Sequence, residues 1–262
     1  MTCVVTGASS GFGRALCLQL ARKGATIVAV ARRQEKLDSL ISELGGGPHL
    51  CFVCDVSRLE DVKNMAAFVE REAGKVDVLV NNAGVSTSGP LSGATSEQME
   101  AVIRTNLLGP MWCAKELLPV MQRSPRTTRT PVIVNVASMA GRIPTPGSPD
   151  YSASKFGLVA FTESIWAELK DKGIRVMMVN PGLTDTEGFP MDKVRADPSA
   201  AWAVMEVPRV VRAIIKGIER GGFEVRVQWW MHPVYHLTVL MGPLRRIVTS
   251  RLRSSMGDVG KL

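Results

Sequence analysis

The chain has 262 residues, 45% of them hydrophobic and 21% charged, with a formal net charge of +8. That composition excludes a wholly disordered or collagen-like chain, and no run of about 18 apolar residues offers a simple membrane span. Charge is uneven: residues 209–262 carry ten basic and three acidic side chains, net +7, so the first 208 residues stand at +1. A cationic end points to an anionic partner without naming it. The five cysteines (Cys3, Cys17, Cys51, Cys54 and Cys113) are odd in number and lie mostly in apolar runs. They fit a reducing, cytoplasmic setting better than a disulfide framework. The opening Met1–Thr6 run has no basic leader, so no secretory signal is expected.

In chain order, Cys3–Thr6 is a short strand that runs into a glycine turn. Arg14–Lys23 has helical spacing and stops at Gly24. Thr26–Val30 is the second strand, and Gln34–Leu44 an amphipathic helix ended by Gly45-Gly46-Gly47-Pro48. Leu50–Val53 is the third strand, a helix follows around Asp61–Ala73, and Val76–Val80 is the fourth strand. Later strands are Val132–Val136 and Val176–Val179, each preceded by a long helical segment. Short apolar runs alternating with helices predict a parallel sheet buried on both faces. Right-handed crossovers make it an α/β doubly wound sheet, a Rossmann fold in one domain over 1–228. Arg123–Pro131 reads as a solvated loop, and 183–206, interrupted by Pro190 and Pro198, as a flexible segment over a site.

The turn Thr6-Gly7-Ala8-Ser9-Ser10-Gly11-Phe12-Gly13 joins the first strand to the first helix. Gly7 permits a tight turn, Gly11 a close backbone approach and Gly13 close helix–strand packing. Beside Ser9, Ser10 and Phe12, the helix start offers free N–H groups to a pyrophosphate. No Gly-Lys-Ser/Thr follows, which disfavours a nucleoside-triphosphate loop. The second strand ends in Val30-Ala31-Arg32-Arg33 with no carboxylate to hold a ribose diol. Arg32 and Arg33, with Arg14 assisting, suit a 2′-phosphate, so NADP is expected over NAD. Asp55 is positioned to accept from the adenine amino group, with Val56 against the ring.

Tyr151 and Lys155 lie four apart on one helix face. An ammonium nearby favours a phenolate, which brings a tyrosine acid/base toward neutral pH. Ser138 follows the fifth strand and can orient a substrate oxygen. Taken with Asn81-Asn82-Ala83-Gly84, Asn106 and Asn180-Pro181-Gly182, these pieces resemble the short-chain dehydrogenase/reductase superfamily over roughly residues 2–228. The resemblance implies an NADP(H)-dependent oxidoreductase that interconverts a ketone or aldehyde and an alcohol. It implies that Tyr151 moves the proton, Lys155 binds the nicotinamide ribose and lowers the tyrosine pKa, and Ser138 polarises the carbonyl. Asn106 holds a relay water. The Asn81-Asn82 pair with Ala83 and Gly84 lines the adenosine end, and Pro181 and Gly182 support the nicotinamide. Thr184 or Thr186 touches the carboxamide or pyrophosphate. A non-catalytic NADP-binding sensor or scaffold on the same fold is the alternative, and a homo-oligomer is the family default.

Cys51-x-x-Cys54 lies within a buried strand and reads as core thiols rather than a redox pair. His232 and His236 lack the intervening glutamate of a zinc motif, so no metal is expected. Residues 229–262 join Trp229-Trp230, an aliphatic run and Arg245, Arg246, Arg251 and Arg253. This C-terminal extension reads as a pocket lid, a dimer contact or a membrane-surface element, and not as a nucleic-acid site. Asp185-Thr186-Glu187-Gly188-Phe189 is similar to the loop in reductases of long-chain ketones, including 3-ketosphinganine reductases, which points to an apolar, lipid-like substrate.

Overall fold

The computed structural model describes residues 1–87, 89, 91–123, 130–187, 192–196, 201–225, 227–228 and 233. The extension 229–262, apart from Pro233, lies outside them, as do His232, His236 and most of the 123–131 loop.

Strands and helices alternate: β1 (Thr2–Thr6), α1 (Gly11–Arg22), β2 (Thr26–Ala31), α2 (Gln34–Leu44), β3 (Leu50–Val53), α3 (Leu59–Ala73) and β4 (Val78–Asn81). Then come α4 (Ser96–Ile103), α5 (Gly109–Arg123), β5 (Val132–Val136), α6 (Pro149–Leu169), β6 (Arg175–Val179), α7 (Asp192–Arg195), α8 (Val207–Arg220) and β7 (Glu224–Val225). The sheet order is β3-β2-β1-β4-β5-β6-β7, every pair parallel. The winding reverses between β1 and β4, where a crevice opens at the carboxyl ends of the strands.

Both faces of the sheet are covered, as continuous apolar strands require. Alternation sends Cys3 and Val5 of β1 to one core, with Leu16 of α1 and Ile214 of α8, and Val4 to the other, with Met65 of α3 and Leu117 of α5. Helix α8 buries Val210, Val211, Ile214, Ile215 and Ile218 along one stripe. Each such side chain contributes about 1.5–3 kcal/mol on burial.

The last strand, β7, is only two residues long. It pairs with β6 only through Met178↔Glu224 and Val179↔Val225. Val227 and Gln228 are buried outside the strand. No helix among the described residues is long and apolar enough to cross a membrane.

Candidate active site

The crevice holds a cavity of about 800 Å³. At one end stands the β1–α1 turn. Gly7 has φ +68°, and a Cβ there would lie 2.8 Å from the Cα of Ala83. A Cβ on Gly13 would lie 2.2 Å from the Gly7 carbonyl oxygen, so only glycine allows α1 this close to the turn. The amide of Asn82 braces the turn, its Nδ2 donating to the Thr6 carbonyl at 2.9 Å. Thr6 Oγ1 in turn accepts from the backbone N–H groups of Asn82 and Ala83 at 3.0 and 3.1 Å. Ser10 begins α1 without a side-chain capping bond, which leaves first-turn N–H groups for an anion. Gly7, Ser9, Ser10, Gly11 and Phe12 line the cavity. This packed glycine cradle fits a dinucleotide diphosphate.

Arg32 and Arg33 from the end of β2, and Asp55 and Val56 from the end of β3, form the next wall. Ser57 donates to Asp55 Oδ1 from its N–H at 3.0 Å and its hydroxyl at 2.7 Å, which fixes the carboxylate. Arg14 faces away from the cavity. Its Nη2 lies 2.6 Å from Glu43 and 3.3 Å from Ser39, both on α2, because α1 presents that side to α2 and not to the β2 end.

At the end of β4, Asn82, Ala83 and Gly84 line the cavity. Asn81 does not: its Nδ2 donates to Asn135 Oδ1 at 2.9 Å inside the sheet layer. Strand alternation decides between the two neighbours.

Ser138, Tyr151 and Lys155 converge on the other half of the cavity. The Lys155 ammonium donates to the Val136 carbonyl at 2.9 Å and lies 5.6 Å from the Tyr151 ring centroid. Burial pushes the Tyr151 phenol up, opposed by its hydrogen bond with Ser138. Burial pushes Lys155 down to about 8. The expected lowering of the phenol by the ammonium is therefore not the leading effect here. Withdrawal from water is the leading influence on the phenol, and the ammonium is directed at the Val136 carbonyl.

The turn after Ser138 is anchored by Arg142, which is buried between Glu163 of α6 at 3.0 Å and Glu224 of β7 at 3.5 Å. Asp150, buried in the first turn of α6, accepts a hydrogen bond from the Thr87 hydroxyl and sets the helix start that presents Tyr151.

Asn106 lies in a π-turn, Arg104–Leu108, between α4 and α5. Pro110, four residues on, has no N–H to offer the Asn106 carbonyl in an α-turn, which favours the wider turn. The Asn106 side chain brackets Val85: Oδ1 accepts from its N–H at 2.9 Å and Nδ2 donates to its carbonyl at 2.8 Å. Nδ2 also reaches Ser154 Oγ at 3.2 Å. The side chain thus holds the 82–85 loop, and a relay water would have to use the backbone.

Pro181, Gly182, Thr184 and Thr186 line the cavity, and Thr184 Oγ1 donates to the Gly182 carbonyl at 3.1 Å. The 183–206 segment thus does border the site, through Leu183, Glu187 and Ala203 as well. Sequence reasoning missed those residues, together with Val85, Met139, Ile143, Thr145, Ser148 and Gln228. For Met139 and Ile143 the available signal was their place just past Ser138.

Cys51 and Cys54 are free thiols, and burial pushes Cys54 up to about 12, which is inert rather than redox-active. Among the described residues no cluster of His, Cys, Asp or Glu could hold a metal ion.

A glycine cradle at the switch point of a parallel sheet, facing a Ser–Tyr–Lys wall, defines a nicotinamide-dinucleotide oxidoreductase fold. The family model for short chain dehydrogenases matches residues 1–195. The 3-oxoacyl-(acyl-carrier-protein) reductase FabG of Thermotoga maritima is 35% identical over 208 residues, 79% of this chain and 82% of that one. A metagenomic short-chain oxidoreductase solved in complex with NADP superposes with a TM-score of 0.72 at 31% identity, covering 86% of this chain and 95% of that one. A short chain dehydrogenase/reductase from Burkholderia phymatum in complex with NAD has the same fold, with a TM-score of 0.81 at 24% identity over 93% of this chain and 94% of that one. The chain belongs to the short chain dehydrogenase family.

Proposed function

We propose that residues 1–228 form an NADP(H)-dependent oxidoreductase that interconverts a carbonyl and an alcohol on an apolar, lipid-like small molecule. The observation that carries this reading is one cavity bounded by the glycine cradle at one end and by Ser138, Tyr151 and Lys155 at the other. The cradle and the ends of β2 and β3 would hold the dinucleotide: Gly7 to Gly13 at the diphosphate, Asp55 and Val56 at the adenine. Asn82, Ala83 and Gly84 would follow its length, with Pro181, Gly182, Thr184 and Thr186 about the nicotinamide half. Arg32 and Arg33 favour a 2′-phosphate, since no carboxylate ends β2.

When bound, the nicotinamide supplies or accepts the hydride. In reduction, Tyr151 gives its phenolic proton to the substrate oxygen, which Ser138 orients through its hydroxyl. Raised by burial, the phenol holds that proton at neutral pH and has it to give. With a pKa of about 8, Lys155 is largely an ammonium at pH 7; it would hold the ribose hydroxyls and stabilise the phenolate that remains. Asn106 keeps the Val85 loop in place beside it. Val85, Met139, Ile143 and Leu183 give the substrate half an apolar lining, which supports a greasy carbonyl compound.

The test is a panel of ketones and aldehydes, short to long-chain, scored by loss of NADPH absorbance. Turnover of an apolar carbonyl by the wild type, with none in Tyr151→Phe, is expected. NADPH binding without turnover across the panel would leave the non-catalytic alternative standing.

A further inference from the structure

The adenosine end of the cavity carries a charge arrangement that dinucleotide binding alone does not require. Glu187 lies past β6, on the segment that borders the substrate half, yet its carboxylate reaches across to the start of α2. Oε1 accepts from Arg33 Nη1 at 2.7 Å, and Oε2 lies 3.6 Å from Lys36 Nζ. The same guanidinium donates from Nη2 to Ser9 Oγ at 3.0 Å. Arg33 is thus shared between the glycine turn and Glu187, and Arg32 stands on the same wall. Arg33 pulls the Glu187 carboxyl below its usual range, with help from Lys36, so it is an anion at any pH of interest.

Two arginines, a lysine and a hydroxyl at the end of β2 make an anion site, and a carboxylate of this chain already sits in it. A phosphate monoester placed on Arg33 would lie against that carboxylate, and two anions sharing one guanidinium repel. Building on the reading of Arg32 and Arg33 given above, we propose that Glu187 is an intramolecular competitor of the cofactor's 2′-phosphate. It occupies Arg33 and Lys36 until NADP(H) displaces it, and so it sets how strongly NADP is preferred over NAD. A cofactor with a free 2′-hydroxyl brings no second anion and leaves the Glu187–Arg33 pair intact.

The pairs are about half-exposed, so the effect is modest and screened by salt. The experiment is a charge series, wild type, Glu187→Gln and Glu187→Lys, in the full chain. Dissociation constants are measured by fluorescence or calorimetry for NADPH and NADH, and for 2′,5′-ADP against 5′-AMP, without turnover. Glu187→Gln should tighten NADPH and 2′,5′-ADP about two- to fivefold, the range of one exposed ion pair. Glu187→Lys should tighten them further, NADH and 5′-AMP should stay unchanged, and the gain should fade in high salt. Unchanged or weaker NADPH binding in both variants, or equal shifts for NADPH and NADH, overturns the proposal. Arg33→Ala separates the two levels. If it weakens NADPH more than NADH while the Glu187 series is flat, the competitor role alone fails. If it moves both cofactors equally, the 2′-phosphate reading of this wall fails as well.

Discussion

The ammonium of Lys155 donates to the main-chain carbonyl of Val136 at 2.9 Å. Val136 ends β5, and Ser138 follows two residues later, so one bond ties the helix that carries the tyrosine to the turn that carries the serine. This bond places a cation in a buried, largely apolar wall, and its consequences reach both stability and catalysis.

Lys155→Met should make the protein inactive and more stable. The lysine falls from 10.5 unfolded to about 8 in the fold, a shift worth about 3 kcal/mol. Loss of the bond to Val136 returns about 1 kcal/mol. Below pH 8 both states hold the proton, and the wild type bears the full penalty of burying it. As pH rises from 8 toward 10.5 the folded state releases the proton first, and the penalty is relieved. Thermal melts should show the variant several degrees higher near neutral pH, with the gap narrowing toward about pH 10. A gap that widens with pH contradicts this account.

The phenol predicts opposite pH limbs for the two directions. Burial keeps Tyr151 protonated, so reduction should hold steady up to about pH 8 and then fall as Lys155 loses its charge. Oxidation needs the phenolate and should climb with pH. Ser138 supplies the hydrogen bond that lowers this phenol, so Ser138→Ala should push the oxidation limb to still higher pH as well as slow both directions. Rate profiles of both directions in wild type and variant check the sign.

Much of this site was legible because the chemistry is local in sequence. The glycine turn, the Tyr151–Lys155 helical spacing and Ser138 past an apolar strand each announce themselves within a few residues, and the parallel sheet follows from the runs between them. What was not legible depends on register and on long-range partners. Asn81 and Asn82 are identical in composition, and only the alternation at the end of β4 sends one into the sheet and the other to the cradle. Arg14 is a plausible phosphate ligand until α2 supplies Glu43. Glu187 meets Arg33 across 154 residues, and no local pattern encodes that meeting.

Gly141→Ala should injure catalysis more than cofactor binding. A Cβ at Gly141 would stand 2.6 Å from the Lys155 carbonyl oxygen and 3.1 Å from Val159 Cγ2. Neither the helix backbone nor a buried valine gives way easily, so the turn carrying Ser138 must lift off α6, at about 1–3 kcal/mol. The expected result is a fall in kcat of at least about tenfold, with the Kd for NADPH nearly unchanged. A variant that loses cofactor affinity in proportion would place the strain elsewhere.

Asn106 offers the sharpest separation between holding a loop and merely filling a helix. Its amide satisfies both the N–H and the carbonyl of Val85, at 2.9 and 2.8 Å, in a residue that is fully buried. Asn106→Ala leaves two main-chain groups short of partners, a loss of about 1–3 kcal/mol for each group left unsatisfied. Asn106→Asp keeps an acceptor for the Val85 N–H but sets a carboxyl oxygen against the Val85 carbonyl, where a donor stood. Aspartate should therefore fail to rescue, and both variants should melt lower than wild type. Because Gly84 and Val85 line the cavity beside Lys155, cofactor affinity should drop along with kcat in both. If Asn106→Asp retains wild-type stability and cofactor binding, the bracket around Val85 is not what Asn106 is for.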